Sequence, residues 1–206
     1  MNTKVLITGG KGDIAQAIKT ILEQEGGYEV YAPGRQELNV TDWNSIENVI
    51  RDFVPDILIN NAGYVVPESV RTMNLENTQK HFDINLGGTF YCTGIALKYN
   101  PNVQIINIVS AASVEPHATW SEYCASKAAV AMATKCWAED GLYAVAVSPG
   151  RTRTKMRKSL FPDEDQNTLL EPADFAKVVL KAVHKKYESG ANIIVKKQNV
   201  QQLINE

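Results

Sequence analysis

Short runs rich in β-branched residues alternate along this chain with longer segments whose apolar residues recur at helical spacing, and that alternation most narrows the fold. Parallel strands need a long crossover between them, usually a helix, so the pattern predicts an α/β protein built on a doubly wound parallel sheet. Strands are expected at 5–7, 29–32, 57–59, 105–109, 143–147 and 193–195. Helices are expected around Ile14, Ala17, Ile18, Ile21 and Leu22, then at 42–53, 78–97, 121–137 and 172–186, with Pro172 at a first-turn position. Only Gly34 to Glu37 separates the second strand from Leu38-Asn39-Val40, too few residues for a helical crossover. Residues 38–40 are therefore expected to form a short edge strand at best.

A chain of 206 residues fits one domain and can bury a substantial core. The formal net charge of -2 offers no basic stripe for a phosphate backbone, so a nucleic-acid partner is not expected. The N-terminus runs directly into Val5-Leu6-Ile7, with no leader-like apolar region, and no apolar run is long enough to span a bilayer. A cytoplasmic location without a membrane partner is the expectation. Cys92, Cys124 and Cys136 lack metal-ligand spacing, which predicts buried free thiols and no metal site.

Thr8-Gly9-Gly10-Lys11-Gly12-Asp13-Ile14-Ala15 follows the first strand and opens the first helix, the context of a dinucleotide-binding loop. Glycines let the backbone approach a pyrophosphate that the helix N-terminus then holds. This makes the fold a Rossmann-type doubly wound sheet, with Thr8, Gly9, Lys11, Gly12, Asp13 and Ile14 as cofactor-binding candidates. The Asp13 carboxylate is expected to point to solvent, away from the phosphates. The second strand ends in Pro33-Gly34-Arg35, with no acidic residue to grip the ribose hydroxyls. Arg35 can pair with a 2'-phosphate, assisted by Lys11, which predicts NADP(H) in preference to NAD(H); the alternative is that Arg35 is a solvated loop charge.

Further on, Asn60-Asn61-Ala62-Gly63 follows a strand and Asn85 lies in a helix. Ser110 ends a strand, Tyr123-Cys124-Ala125-Ser126-Lys127 begins a helix, and Ser148-Pro149-Gly150 closes the next strand. In this order and these contexts the motifs resemble the short-chain dehydrogenase/reductase family over nearly the whole chain. The resemblance implies one NAD(P)-binding domain over 1–206, with a short substrate lid at about 151–171. It implies an oxidoreductase interconverting a small-molecule carbonyl and its alcohol by hydride transfer.

The chemistry accounts for the residue types. A four-residue step places Tyr123 and Lys127 on one helix face. A free phenol titrates near about 10 and shuttles protons poorly at neutral pH, and a neighbouring ammonium is expected to bring it down. The resemblance makes Tyr123 the general acid/base and Lys127 its partner and a ligand of the nicotinamide ribose. Ser110 would steady the substrate oxygen, and Asn85 would hold a water in the proton relay. Asn61, Ala62 and Gly63 would flank the adenosine side, Asn39 and Val40 the adenine. Pro149, Gly150, the Thr152 amide and the Thr154 hydroxyl would hold the nicotinamide carboxamide. Asn60 is read as a tie between strands.

The glycine loop has the spacing of the extended branch of the family, while Asn-Asn-Ala-Gly and Tyr-Cys-Ala-Ser-Lys match the short branch. The step from Arg35 into 37–42 resembles the nucleotide-sugar reductases of the dehydrorhamnose type, but their substrate domain has no counterpart here. An epimerase or dehydratase, or a non-catalytic NADP-sensing protein, is therefore carried as an alternative. In the lid, Lys155, Arg157 and Lys158 could meet an anionic substrate, with a solvated charge cluster the favoured reading. His117 and Trp120 are expected at the pocket rim, as substrate contacts or as packing. His81 and His184 are expected at the surface or its boundary, Trp43 and Trp137 in packing, and the tail after Val195 reads as polar and brief. Apolar residues on several faces of 78–97 and 121–137, with the family resemblance, predict a homodimer.

Overall fold

In the computed structural model, which describes residues 2–206, alternate residues of each strand feed two different cores. Val5 and Ile7 of β1 (Thr3–Ile7) pack with Ile18 and Leu22 of α1 (Asp13–Glu25) and with Phe175 and Val179 of α7 (Pro172–Val183). Leu6 points the other way, to Ile46 and Ile50 of α2 (Trp43–Phe53) and to Cys92 and Ile95 of α4 (Gly88–Tyr99). The period of two along the strand thus produces a sheet with helices on both faces. Burying each such Ile or Leu contributes about 1.5–3 kcal/mol, so the layers are held mainly by these stripes.

With β2 (Tyr28–Tyr31), β3 (Ile57–Asn60), β4 (Gln104–Ile108), β5 (Ala144–Pro149) and β6 (Asn192–Val195), the sheet runs β2-β1-β3-β4-β5-β6, every pairing parallel. All the expected strands are present with ends shifted by a residue or two. The order reverses at β1, and the carboxyl ends of β1 and β3 form the crevice where such sheets bind ligands. Asn60 and Asn107 are paired in register, and Asn60 Nδ2 donates to Asn107 Oδ1 at 2.9 Å and to Thr93 Oγ1 at 3.0 Å. This buried tie joins β3, β4 and α4.

Three expectations need correction. Residues 38–40 form no strand: Asn39 Oδ1 accepts from Thr41 N and Oγ1 in a tight turn, and Asp42 then caps α2 through Asn44 N and Ser45 N. Two consecutive turns leave no extended stretch to pair. The helix expected at 78–97 begins earlier, as α3 (Leu75–His81) capped by Asn74, and passes through a π-helical segment, Phe82–Gly87, before α4. The tail folds as α8 (Val200–Asn205), with Val200 buried and Lys181 Nζ donating to Leu203 O at 2.7 Å. The remaining helices are α5 (Ser121–Glu139) and α6 (Lys155–Leu160). No helix among the described residues is long and apolar enough to cross a membrane. Of the thiols, Cys92 is buried, Cys124 half-buried and Cys136 exposed.

Candidate active site

The loop after β1 is shaped by contacts to its neighbours. Thr8 is buried, and its Oγ1 accepts from Asn61 N at 2.9 Å and Ala62 N at 3.0 Å, so it ties β1 to β3 and does not line the cleft. Asn61 Nδ2 returns the tie to Thr8 O at 3.0 Å. Gly9 has φ +66, and a Cβ there would come within 2.8 Å of Ala62 Cα. Gly10, which the sequence reading passed over, is the most confined: its N donates to Pro33 O at 2.8 Å, and a Cβ would overlap the Ala32 carbonyl. Gly12 opens α1 without a side-chain cap, leaving first-turn amides available to an anion. Asp13 does not simply face solvent. Its Oδ2 accepts from Lys155 N at 2.6 Å, fastening the start of α6 to the glycine loop.

Gly9, Gly12 and Asp13 border a cleft of about 430 Å³. Lys11, Arg35, Asn39 and Val40 line its end beside β2, and Ile14, Asn61, Ala62 and Gly63 line it as well. Arg35 and Lys11 are exposed and make no ion pair among the described residues, while the Glu37 carboxylate is engaged with backbone, Oε2 accepting from Gly34 N at 2.7 Å. Val40 packs on Gly88, where a Cβ would come within 2.8 Å of it. Because Asn39 Oδ1 is committed to Thr41, its amino group is the uncommitted one. Leu38, Tyr64, Ile84, Val109 and Met156 also line the cleft and were not anticipated; as ordinary apolar residues they carry no sequence mark.

At the other end stand Tyr123 and Lys127. The Lys127 ammonium donates to Ile108 O at 3.1 Å and lies 5.9 Å from the Tyr123 ring centroid, and burial pushes it down to about 8. Burial also raises the Tyr123 phenol above its ordinary value, and a side-chain hydrogen bond with Ser110 opposes that rise. The depression expected from Lys127 does not emerge, because an ammonium that gives up its proton near 8 is already neutral when the phenol titrates. Ser110 Oγ accepts from Ala112 N at 3.2 Å and so caps the turn that follows β4.

Asn85 lies buried in the π-helical segment. Its Oδ1 accepts from Tyr64 N at 2.7 Å, and its Nδ2 donates to Tyr64 O at 2.9 Å and Ser126 Oγ at 3.2 Å. The side chain is committed to protein partners and clamps the loop after β3 to α5. His81 is buried, not at the surface, and extends that clamp by accepting from Val66 N at 3.2 Å. His184 is a boundary residue paired with Glu25 at 3.0 Å. Trp43 packs on Tyr91 and Trp137 on Phe90.

Pro149 and Thr154 line the cleft, Thr154 Oγ1 capping α6 through Arg157 N at 3.0 Å. Thr152 does not: it is buried, with Oγ1 donating to Gly150 O at 3.0 Å. Gly150 and Ser110 border a second cavity, which meets the first at Pro149 and holds His117 and Trp120 in its wall.

A parallel sheet with a glycine-bounded crevice at its reversal point, reaching the half-buried Tyr123 and the buried Lys127, has the architecture of a dinucleotide-binding α/β protein. The profile of the short chain dehydrogenase family matches residues 3–165, and the chain belongs to that family of oxidoreductases. It is 28% identical to 3-oxoacyl-[acyl-carrier-protein] reductase FabG of Thermotoga maritima, covering 85% of this chain and 87% of the relative. It is 29% identical to 2,3-dihydro-2,3-dihydroxybenzoate dehydrogenase of Bacillus subtilis, over 77% and 73% respectively. Among solved structures, an actinorhodin polyketide ketoreductase variant with NADPH superposes with a TM-score of 0.87 at 20% identity, covering 100% of this chain and 98% of that one. A small-chain dehydrogenase in complex with NADPH gives 0.84 at 21%, over 98% and 100%.

Proposed function

We propose that this chain is an NADP(H)-dependent reductase of a small carbonyl compound, with residues 1–206 acting as one cofactor-binding domain and 151–171 as the substrate lid. The observation that carries the reading is the meeting of Tyr123, Lys127 and Ser110 where the cofactor cleft adjoins a second cavity. When bound, NADP(H) supplies or accepts the hydride at its nicotinamide ring. The residues present suit it: uncapped amides at α1, a backbone turn closed to side chains at Gly9 and Gly10, and two unpaired cations at the adenosine end. NADPH in the two neighbouring structures, and a reductase among the relatives, support the same cofactor and direction.

Tyr123, kept protonated by burial, gives its proton to the carbonyl oxygen as charge develops there, and Ser110 hydrogen-bonds that oxygen. Lys127 stabilises the phenolate left behind. Asn85 acts as a positioning residue, holding Tyr64 at the cleft wall and Ser126 beside Lys127. Steady NADPH oxidation across a carbonyl panel tests the reading; cofactor binding without turnover would sink it.

Arg35 sets the cofactor preference by pairing with the 2'-phosphate. Losing one charge-assisted contact costs about 1.5–3 kcal/mol, so Arg35→Ala raises KM for NADPH by about 10- to 100-fold and leaves that for NADH nearly unchanged. Equal effects on both cofactors would remove Arg35 from this role.

The chain works as a homodimer through α4 and α5, whose outer surfaces leave Phe90 43% and Met132 59% exposed. Light scattering is expected to return twice the chain mass, and Phe90→Glu with Met132→Glu to return the monomer.

A further inference from the structure

The second cavity, about 540 Å³, begins at Ser110 and runs under the lid. Part of its wall is aromatic: Trp120 stands edge-on to Tyr123 at 5.4 Å between centroids and stacks on Phe161 at 6.0 Å and 22°. The charged part is almost wholly cationic, with Arg151, Arg157, Lys196 and Lys197 against the single carboxylate of Glu115. These cations arrive from three places, the loop after β5, α6, and the segment after β6, in a chain whose net charge is -2. General basicity does not explain their meeting.

The pairing leaves a surplus. Glu115 is bound to Lys196. Glu164 grips Arg157 through Nε and Nη2 at 2.7 Å each and meets Arg151 Nη1 at 3.2 Å, so two arginines share one carboxylate. Lys197 has no carboxylate partner among the described residues. The Arg157 guanidinium, its side chain only 18% exposed, lies 4.3 Å over the Phe161 ring, fixed in orientation with its Nη1 donors unspent. This divides the lid charges that the sequence joins: Lys155, 92% exposed, stands at the border of the first cleft and Lys158 donates to Pro162 O, whereas Arg157 belongs to the second cavity.

Resting on the reductase reading, we propose that this cavity takes a carbonyl substrate carrying its own anionic group, a carboxylate or phosphate, and that Arg151 and Lys197 select for it while Arg157 orients it. The carbonyl lies at Ser110 and Tyr123, an apolar body lies against Trp120 and Phe161, and the anion meets the cations. A site with surplus charge between low-dielectric walls concentrates ligands of opposite sign.

Matched pairs test this with the full chain and NADPH: benzoylformate against methyl benzoylformate, 4-oxopentanoate against its methyl ester, and dihydroxyacetone phosphate against dihydroxyacetone. kcat/KM is read from NADPH oxidation, and Kd for the same compounds by calorimetry on NADPH-loaded Tyr123→Phe protein. The anionic member is expected to win by about tenfold or more, and the pairs in which it wins distinguish carboxylate from phosphate. Lys197→Gln and Arg151→Gln each lower the anionic-to-neutral ratio about three- to tenfold, as does added salt, while Lys177→Gln on α7 does not. Turnover and binding of neutral members as good as their anionic partners overturns the anion site and leaves the reductase reading intact. Selective binding of the anions with no turnover of any pair upholds the site and overturns the reductase reading. Neither binding nor turnover overturns both.

Discussion

Tyr123→Phe is expected to lower kcat for carbonyl reduction by about 10³-fold with NADPH affinity near that of the wild type, because it removes one proton donor and leaves the ring in place. Stopped turnover with fluorescence titration of NADPH checks both halves; near-normal turnover would remove Tyr123 from the chemistry. The pH profile sharpens the assignment. The phenol is held above its ordinary value, so across the neutral range it stays in the form that gives a proton. Lys127 is pushed down to about 8 and loses its charge first as pH rises. Activity that needs this ammonium therefore falls through a basic limb near 8 in kcat/KM. Stability moves the other way. The folded chain sheds the Lys127 proton near 8 and the unfolded chain only near 10.5, so the unfolded state binds more protons in that window and this residue's contribution rises with pH. Activity lost above pH 8 with an unchanged or rising Tm is thus the expected pairing.

Gly10→Ala is expected to lower Tm by about 5–10 °C and to weaken NADPH binding at the same time. A methyl group there overlaps the Ala32 carbonyl and comes within 2.9 Å of its Cα, and both obstacles are backbone at the end of β2, which cannot swing aside as a side chain would. Overpacking of this kind costs about 1–3 kcal/mol or more, and in a domain of this size each kcal/mol moves Tm by about 2–4 °C. Gly12→Ala separates the protein's needs from the cofactor's. Its nearest neighbour would be Gly9 O at 3.4 Å and its φ of -74 suits alanine, so Tm falls only by the about 1–4 °C that a poorer N-cap costs, while NADPH, which must approach that backbone, binds more weakly. Calorimetric Tm and NADPH titration on the two variants decide it, and an unchanged Gly10→Ala protein would show that the loop is not confined as described.

Both variants touch a point where the sequence was legible only in part. The glycine loop, the strand positions and the Tyr123–Lys127 pair could be read ahead of the structure because each is a local matter: period two or 3.6, a strand-to-helix turn, a four-residue step on one helix. The loop at 38–40 misled because an apolar patch reads alike in a strand and in a turn whose side chains fill a gap, and Leu38 and Val40 do fill one. Thr8 and Thr152 carry polar side chains beside the cleft, yet the first is spent on the loop after β3 and the second on the carbonyl of Gly150 in its own loop. Asn85 was legible as a special residue but not in what it holds, since Tyr64 and Ser126 lie far from it along the chain.

What the sequence alone determined about this protein is its family, its layered fold and the placing of Tyr123 and Lys127 as a pair, all encoded in short-range spacing that a single helix or turn suffices to express. What only the tertiary structure decided is how that pair is tuned and what stands around it. The raised phenol and lowered ammonium come from burial, which depends on every element packed over them. Gly10 is critical because β2 passes beside it, and the cationic cavity exists because the ends of β5 and β6 bring Arg151 and Lys197 to the lid. Desolvation and charge act through space, and the sheet order, not the chain order, sets those distances.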